Sequence, residues 1–152
     1  MNLIKQNKSG LPSPVQKWGC KMRCLQAIAE FSEGQSLSAY DILTIYESFT
    51  KKNNPKIMNQ HCETGTQEDV IINNAFYRLR LDEARKAKMV GSRDSQGDTW
   101  GRQEGDFIMK DFKTFSGKHF VLFDKDDNEI FDPWDGHLER LGVNKIMFYK
   151  VF

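Results

Sequence analysis

Apolar residues recur at helical spacing through the first half of the chain. Leu25, Ile28 and Ala29 fall on one side of a helix predicted over Lys21 to Phe31, and Gly34 supplies a stop. Ser38-Ala39-Tyr40-Asp41 fits a capping box with Asp in the place of Glu or Gln. Behind it Leu43, Tyr46 and Phe49 form an apolar stripe that ends before Asn53-Asn54-Pro55. Thr66 can cap a third helix, with Glu68 and Asp69 where the helix dipole favours negative charge. Val70, Ile71, Phe76 and Leu79 are its predicted buried face.

The second half changes period. Lys86 to Val90 reads as a short strand, and Gly91 to Gly105, rich in Gly, Asp, Ser and Gln, reads as a loop around Trp100. Asp106 to Phe115 alternates imperfectly, as a strand does. His119 to Phe123 and Glu129 to Asp132 are clearer strands, and Asp126-Asp127-Asn128 between them supplies turn chemistry, so the two predict an antiparallel hairpin. Asn144 to Phe152 predicts a closing strand. Helices first and strands afterwards give an α+β class with an antiparallel sheet. Gly10-Leu11-Pro12-Ser13-Pro14 breaks structure, which predicts a flexible N-terminal arm over residues 1–14 and a single domain over 15–152.

Composition narrows the picture. A chain of 152 residues is one domain's worth. A formal charge of +1 argues against a surface built for nucleic acid or acidic lipid, and no apolar run approaches the ~20 residues of a membrane span. Cys20, Cys24 and Cys62 are an odd set for a disulfide scaffold. Met1 to Pro14 lacks the apolar core of a signal peptide. A cytoplasmic, reduced protein is expected. Gly91 to Gly105 contains no Gly-Lys-Ser/Thr phosphate loop, so no nucleotide site is expected.

Free thiols then become candidate chemistry. Cys20 follows Trp18-Gly19 at a predicted helix start, where unpaired N–H groups and the dipole stabilise a thiolate. Gly19 allows a tight turn and close substrate approach there. His119 opens the first strand of the predicted hairpin and Asp132 closes the second. With an even turn between the strands both project from one face; with an odd turn they face opposite ways. On one face, Asp132 can accept from one ring nitrogen while the other faces a thiol: nucleophile, base and orienter. Taken singly, each has a plainer reading: a small buried Cys, a strand-end His, a turn-capping Asp before Pro133.

These residues carry a resemblance. Gln16-Lys17-Trp18-Gly19-Cys20 resembles the nucleophile segment of papain-like cysteine peptidases. Gly117-Lys118-His119-Phe120-Val121-Leu122, with Ile130-Phe131-Asp132-Pro133-Trp134, resembles the bacteriocin-leader (double-glycine) branch. From about Val15 to the end the chain also resembles an uncharacterised papain-like family of spirochaete plasmids and prophages. The resemblance implies a papain-like fold, with Cys20 as nucleophile, His119 as base, Asp132 as orienter and Gln16 as oxyanion donor. It implies a cysteine peptidase or amidase acting on a peptide or a peptidoglycan-type amide, with no cofactor. Gln16 stands nearer the Cys than the family's usual spacing.

The alternative class is a non-catalytic peptide-binding module on the same fold. Trp18, Trp100 and Trp134 are candidates to wall a substrate groove, with ordinary packing as the competing reading. Cys24, one turn beyond Cys20, reads as core, and His137 as a solvated loop residue. Cys20, Cys24 and His61-Cys62 can be written as a zinc set, but their spacing is not a standard one, and no metal is expected.

Overall fold

The computed structural model describes residues 1–52, 68–80 and 85–152, with residues 49–52 by backbone alone. A short helix α1 (Ser13–Trp18) carries Pro14 in its first turn, where a missing N–H costs nothing, and it buries Val15. After Gly19 the chain enters α2 (Cys20–Glu33), which ends at Gly34 in the left-handed conformation, φ 66°.

Every residue of α2 from Cys20 to Glu30 is buried. A helix enclosed on all sides must also accommodate its polar residues. Arg23 and Glu30 pair at 2.9 Å, Arg23 donates to Gln26 Oε1 at 2.8 Å, and Glu30 Oε2 accepts from the Leu37 N–H at 2.9 Å.

The capping box of α3 (Ala39–Lys52) forms as predicted. The Asp41 N–H donates to Ser38 Oγ at 3.1 Å and the Ser38 N–H to Asp41 Oδ2 at 3.4 Å. Its buried face is Ile42 and Ile45, however, with Leu43 and Tyr46 only half-buried. The helix is rotated by about one position relative to the predicted stripe. In α4 (Glu68–Arg80), Ile71, Ile72, Ala75 and Phe76 are buried, whereas Val70 is exposed. Thr66 lies outside the described residues.

The strands are β1 (Ala87–Asp94), β2 (Thr99–Gly101), β3 (Phe107–Thr114), β4 (Gly117–Asp124), β5 (Glu129–Phe131) and β6 (Gly142–Val151). They form one antiparallel sheet in the order β2-β1-β6-β3-β4-β5. The fold is therefore α+β, helices followed by a six-stranded antiparallel sheet. The segment expected as a loop over Gly91 to Gly105 instead holds the end of β1 and all of β2. Gly91 faces Gly101 there, and a Cβ at Gly91 would strike the Arg102 backbone. Its glycines serve close strand approach rather than looseness. The last strand, expected to close the sheet, lies in its middle between β1 and β3.

Met109, Phe120, Leu122, Phe131, Met147 and Tyr149 pack with the helices in the main core. Ile108, Phe112, Val121, Phe123 and Phe148 form a second cluster. Because strand side chains alternate, the two sets occupy opposite faces of the sheet. Among the described residues no helix is long and apolar enough to cross a membrane.

Candidate active site

Cys20 is the first residue of α2, and Gly19 brings it there. The Gly19 N–H donates to the Val15 carbonyl at 2.8 Å, and a Cβ on Gly19 would run into that carbonyl. Gly19 has an ordinary φ of −81°, so the requirement is space rather than a special turn.

On the sheet, β5 pairs only with Leu122 and Phe123, and α2 packs against β4. Cys24 Sγ donates to the Phe120 carbonyl at 3.4 Å, which fixes the helix to the strand just beside His119. His119 Nε2 meets Asp132 Oδ1 at 2.7 Å. The Cys20 side chain hydrogen-bonds to the same imidazole. Since Nε2 is engaged by the carboxylate, Nδ1 is the nitrogen left for the thiol. The structure thus brings Cys20, His119 and Asp132 together in the order thiol, ring, carboxylate.

Electrostatics follow from this geometry. Burial alone would lower the His119 pKa, but the hydrogen bonds to Asp132 and Cys20, with their negative charge, raise it to about 9. Burial would raise Asp132, but His119, the Trp134 N–H at 3.0 Å and Arg140 hold it down at about 2. An imidazolium beside a thiol favours the thiolate form of Cys20. Cys24 is the opposite case. Its complete burial, followed by the charge of Cys20, pushes its thiol well above the ordinary range, in keeping with a core residue.

Two residues passed over in the sequence reading join this site. Arg140 donates from Nη2 to Asp132 Oδ2 at 3.0 Å, pairs with Glu129 and lies 4.7 Å from the centre of the Phe112 ring. The carboxylate of Asp132 is therefore held by both oxygens. Gln6 is 1% exposed and joins the two halves of the site. Its N–H donates to the Pro133 carbonyl at 2.7 Å, and its Nε2 donates to the Gln16 carbonyl at 3.1 Å, one turn ahead of Cys20. Its Oε1 has no hydrogen-bond partner among the described residues. Neither residue belongs to a local pattern from which the sequence would single it out.

The first residues lie along this region. Lys5 Nζ donates to the Asp132 carbonyl at 2.5 Å, Asn7 and Asp135 exchange two hydrogen bonds of 2.9 Å, and Arg23 Nε donates to the Ile4 carbonyl at 3.0 Å.

The other candidates separate. Gln16 Nε2 donates to the Leu11 carbonyl at 2.6 Å. Trp18 is half-buried at the end of α1, and the Trp134 N–H serves Asp132. Trp100 is exposed on β2, with β1, β6 and β3 between it and β4, so it stands away from the triad. His137 is exposed. His61 and Cys62 lie outside the described residues, and among those described no group of three His, Cys, Asp or Glu could hold a metal. Compared with protein-family models, curated proteins and solved structures, the chain matches none.

Proposed function

We propose that this protein is a cysteine hydrolase of papain-like fold that cleaves a peptide or amide bond through a thioester. The observation that carries this reading is the continuous hydrogen-bonded series from Cys20 through His119 and Asp132 to Arg140. The Cys20 proton passes to His119 Nδ1, and the sulfur attacks the amide carbonyl. The ring then gives that proton to the leaving amine as the C–N bond breaks. Water attacks the thioester with His119 as base, and the acid product leaves with Cys20 restored. Asp132 holds the ring in the tautomer that presents Nδ1 to sulfur, and stabilises the imidazolium.

For the developing oxyanion we assign the Cys20 N–H and the Gln6 side-chain amide. Gln6 supports this better than Gln16, because it is buried and connects the helix bearing the nucleophile with the loop bearing the orienter. The resemblance to leader peptidases makes a peptide the substrate class, and a peptidoglycan-type amide fits the same chemistry.

Burial favours one competing reading. Cys20 is 2% exposed and His119 3%, as in a binding module that never ionises its thiol for attack. Alkylation by iodoacetamide at mildly acidic pH, mapped by mass spectrometry, distinguishes the two. The hydrolase alkylates at Cys20 well before Cys24 and Cys62. Equal rates at all three thiols, or none at Cys20, would make the protein a binding module.

A further inference from the structure

A cavity of about 310 Å³ opens between the helix-facing side of the sheet and the starts of α2 and α4. Lys21, next in the chain to Cys20, lines it, as do Lys118 and Phe120, the neighbours of His119 along β4 whose side chains leave the strand on the face opposite to the ring. Its volume is at the small end of ligand pockets, roughly 300–1,000 Å³, which suits one or two residues of a bound chain. Phe120, Met89 and Met147 give it an apolar floor.

Among the described residues the charges facing it are Lys21 from α2, Glu68 from α4, Asp111 from β3, Lys118 from β4 and Lys145 from β6. Lys21 pairs with Glu68 at 2.7 Å, and Lys118 lies 3.8 Å from Asp111. Both carboxylates thus already have lysine neighbours. A cationic ligand would have to compete with a lysine for either one. Lys145 stands directly across the strand pair from Asp111, yet forms no ion pair with a described residue. An anionic ligand finds it available.

Resting on the hydrolase reading, we propose that this cavity is a specificity subsite and that it selects a substrate segment bearing a carboxylate. Phe120 and the two methionines take the aliphatic stem of an acidic side chain, while Lys145 takes the carboxylate. Lys21 is then a wall of the subsite through its pair with Glu68, and not a group acting on the thiol.

Matched thiol reagents on the full chain test this. Sulfonatoethyl, trimethylammonioethyl and methyl methanethiosulfonate carry negative, positive and no charge on a similar arm, and mass spectrometry locates the product at Cys20. At low salt, the anionic reagent should outpace the cationic one in the wild type. Lys145→Gln should lower that ratio by about tenfold, because the loss of one unit charge acts with opposite sign on the two reagents. Lys145→Glu should lower it further, and added salt should shrink the difference. Lys88→Gln, on β1 near the other edge of the sheet, should leave the ratio alone. A ratio indifferent to both Lys145 variants, with Cys20 still reactive, would overturn the subsite and leave the hydrolase standing. A Cys20 that ignores even the neutral methyl reagent would overturn both.

Discussion

His119 and Asp132 share one face of the β4–β5 hairpin because Ile130 is an extra residue in β5. Phe123 lies opposite Glu129, which makes 124–128 a loop of odd length. Continued without a break, that register would set Asp132 opposite Phe120, on the face away from His119. The register shifts between Leu122 and Phe123, so that Leu122 lies opposite Phe131. Asp132 then falls opposite Val121, and alternation gives it the side of His119. Deletion of Ile130 should turn Asp132 away. The His119 pKa, followed by NMR, should fall from about 9 towards its ordinary 6.5. Ile130→Ala keeps the residue count and should keep the high value. A deletion variant that folds and retains the high pKa would show that the bulge does not set the pair.

Asp132 and Arg140 should differ in degree. Asp132→Asn removes the partner that fixes the ring, and turnover should fall by about 10²–10⁴-fold with substrate binding little changed. Arg140→Ala leaves the His119 contact but frees Oδ2, so the Asp132 pKa should rise from about 2 while turnover falls less. Steady-state kinetics and carboxylate titration by NMR measure both. Equal turnover in Asp132→Asn and wild type would make Asp132 a turn residue only.

The pH dependence has a definite sign. His119 is raised to about 9 on folding, so its contribution to stability is complete below about 6.5 and is lost as pH rises through 9. Asp132 is lowered to about 2, so its contribution is complete above its ordinary 3.8 and is lost as pH falls through 2. Both are whole between about pH 4 and 6.5. Thermal melts of wild type and Asp132→Asn should differ most in that window and converge at both extremes. Turnover should decline above about pH 9, where the imidazolium that protonates the leaving amine disappears.

The two glutamines are separable by kinetics. Gln6→Ala should lower kcat by about 10²–10³-fold with KM nearly unchanged, the signature of a donor used mainly in the transition state. Gln16→Ala, whose Nε2 engages the Leu11 carbonyl, should act mainly on stability, by about 1 kcal/mol. The reverse order of kinetic effects would return the oxyanion role to Gln16.

Much of this was legible in the order of residues along the chain. Ser38 and Asp41 announce a helix start because a capping box is a local exchange of hydrogen bonds. Gly34 announces a helix end because only a residue without Cβ takes the left-handed turn cheaply. The run of aromatic and aliphatic residues over 119–123 fixes a strand, and the asymmetry between the halves fixes the α+β class. Cys20, His119 and Asp132 were nameable as thiol, ring and carboxylate because Cys20 begins a helix and Asp132 follows the end of β5, although β4 starts at Gly117, two residues before His119.

Tertiary structure decided what depends on contacts between distant segments. The glycine-rich segment over 91–105 became strands because backbones approach closely at Gly91 and Gly101. The final strand entered the middle of the sheet because β1 and β3 both pair with it. The buried side of α3 moved to Ile42 and Ile45 because the neighbours against which it packs choose the face. Gln6 and Arg140 came to the site through partners eight or more residues away, beyond the reach of any local pattern. The chain's own alternation prescribes which face each side chain takes within a strand. A single inserted residue at Ile130, set by how β5 meets β4, decides whether two strands agree on that face.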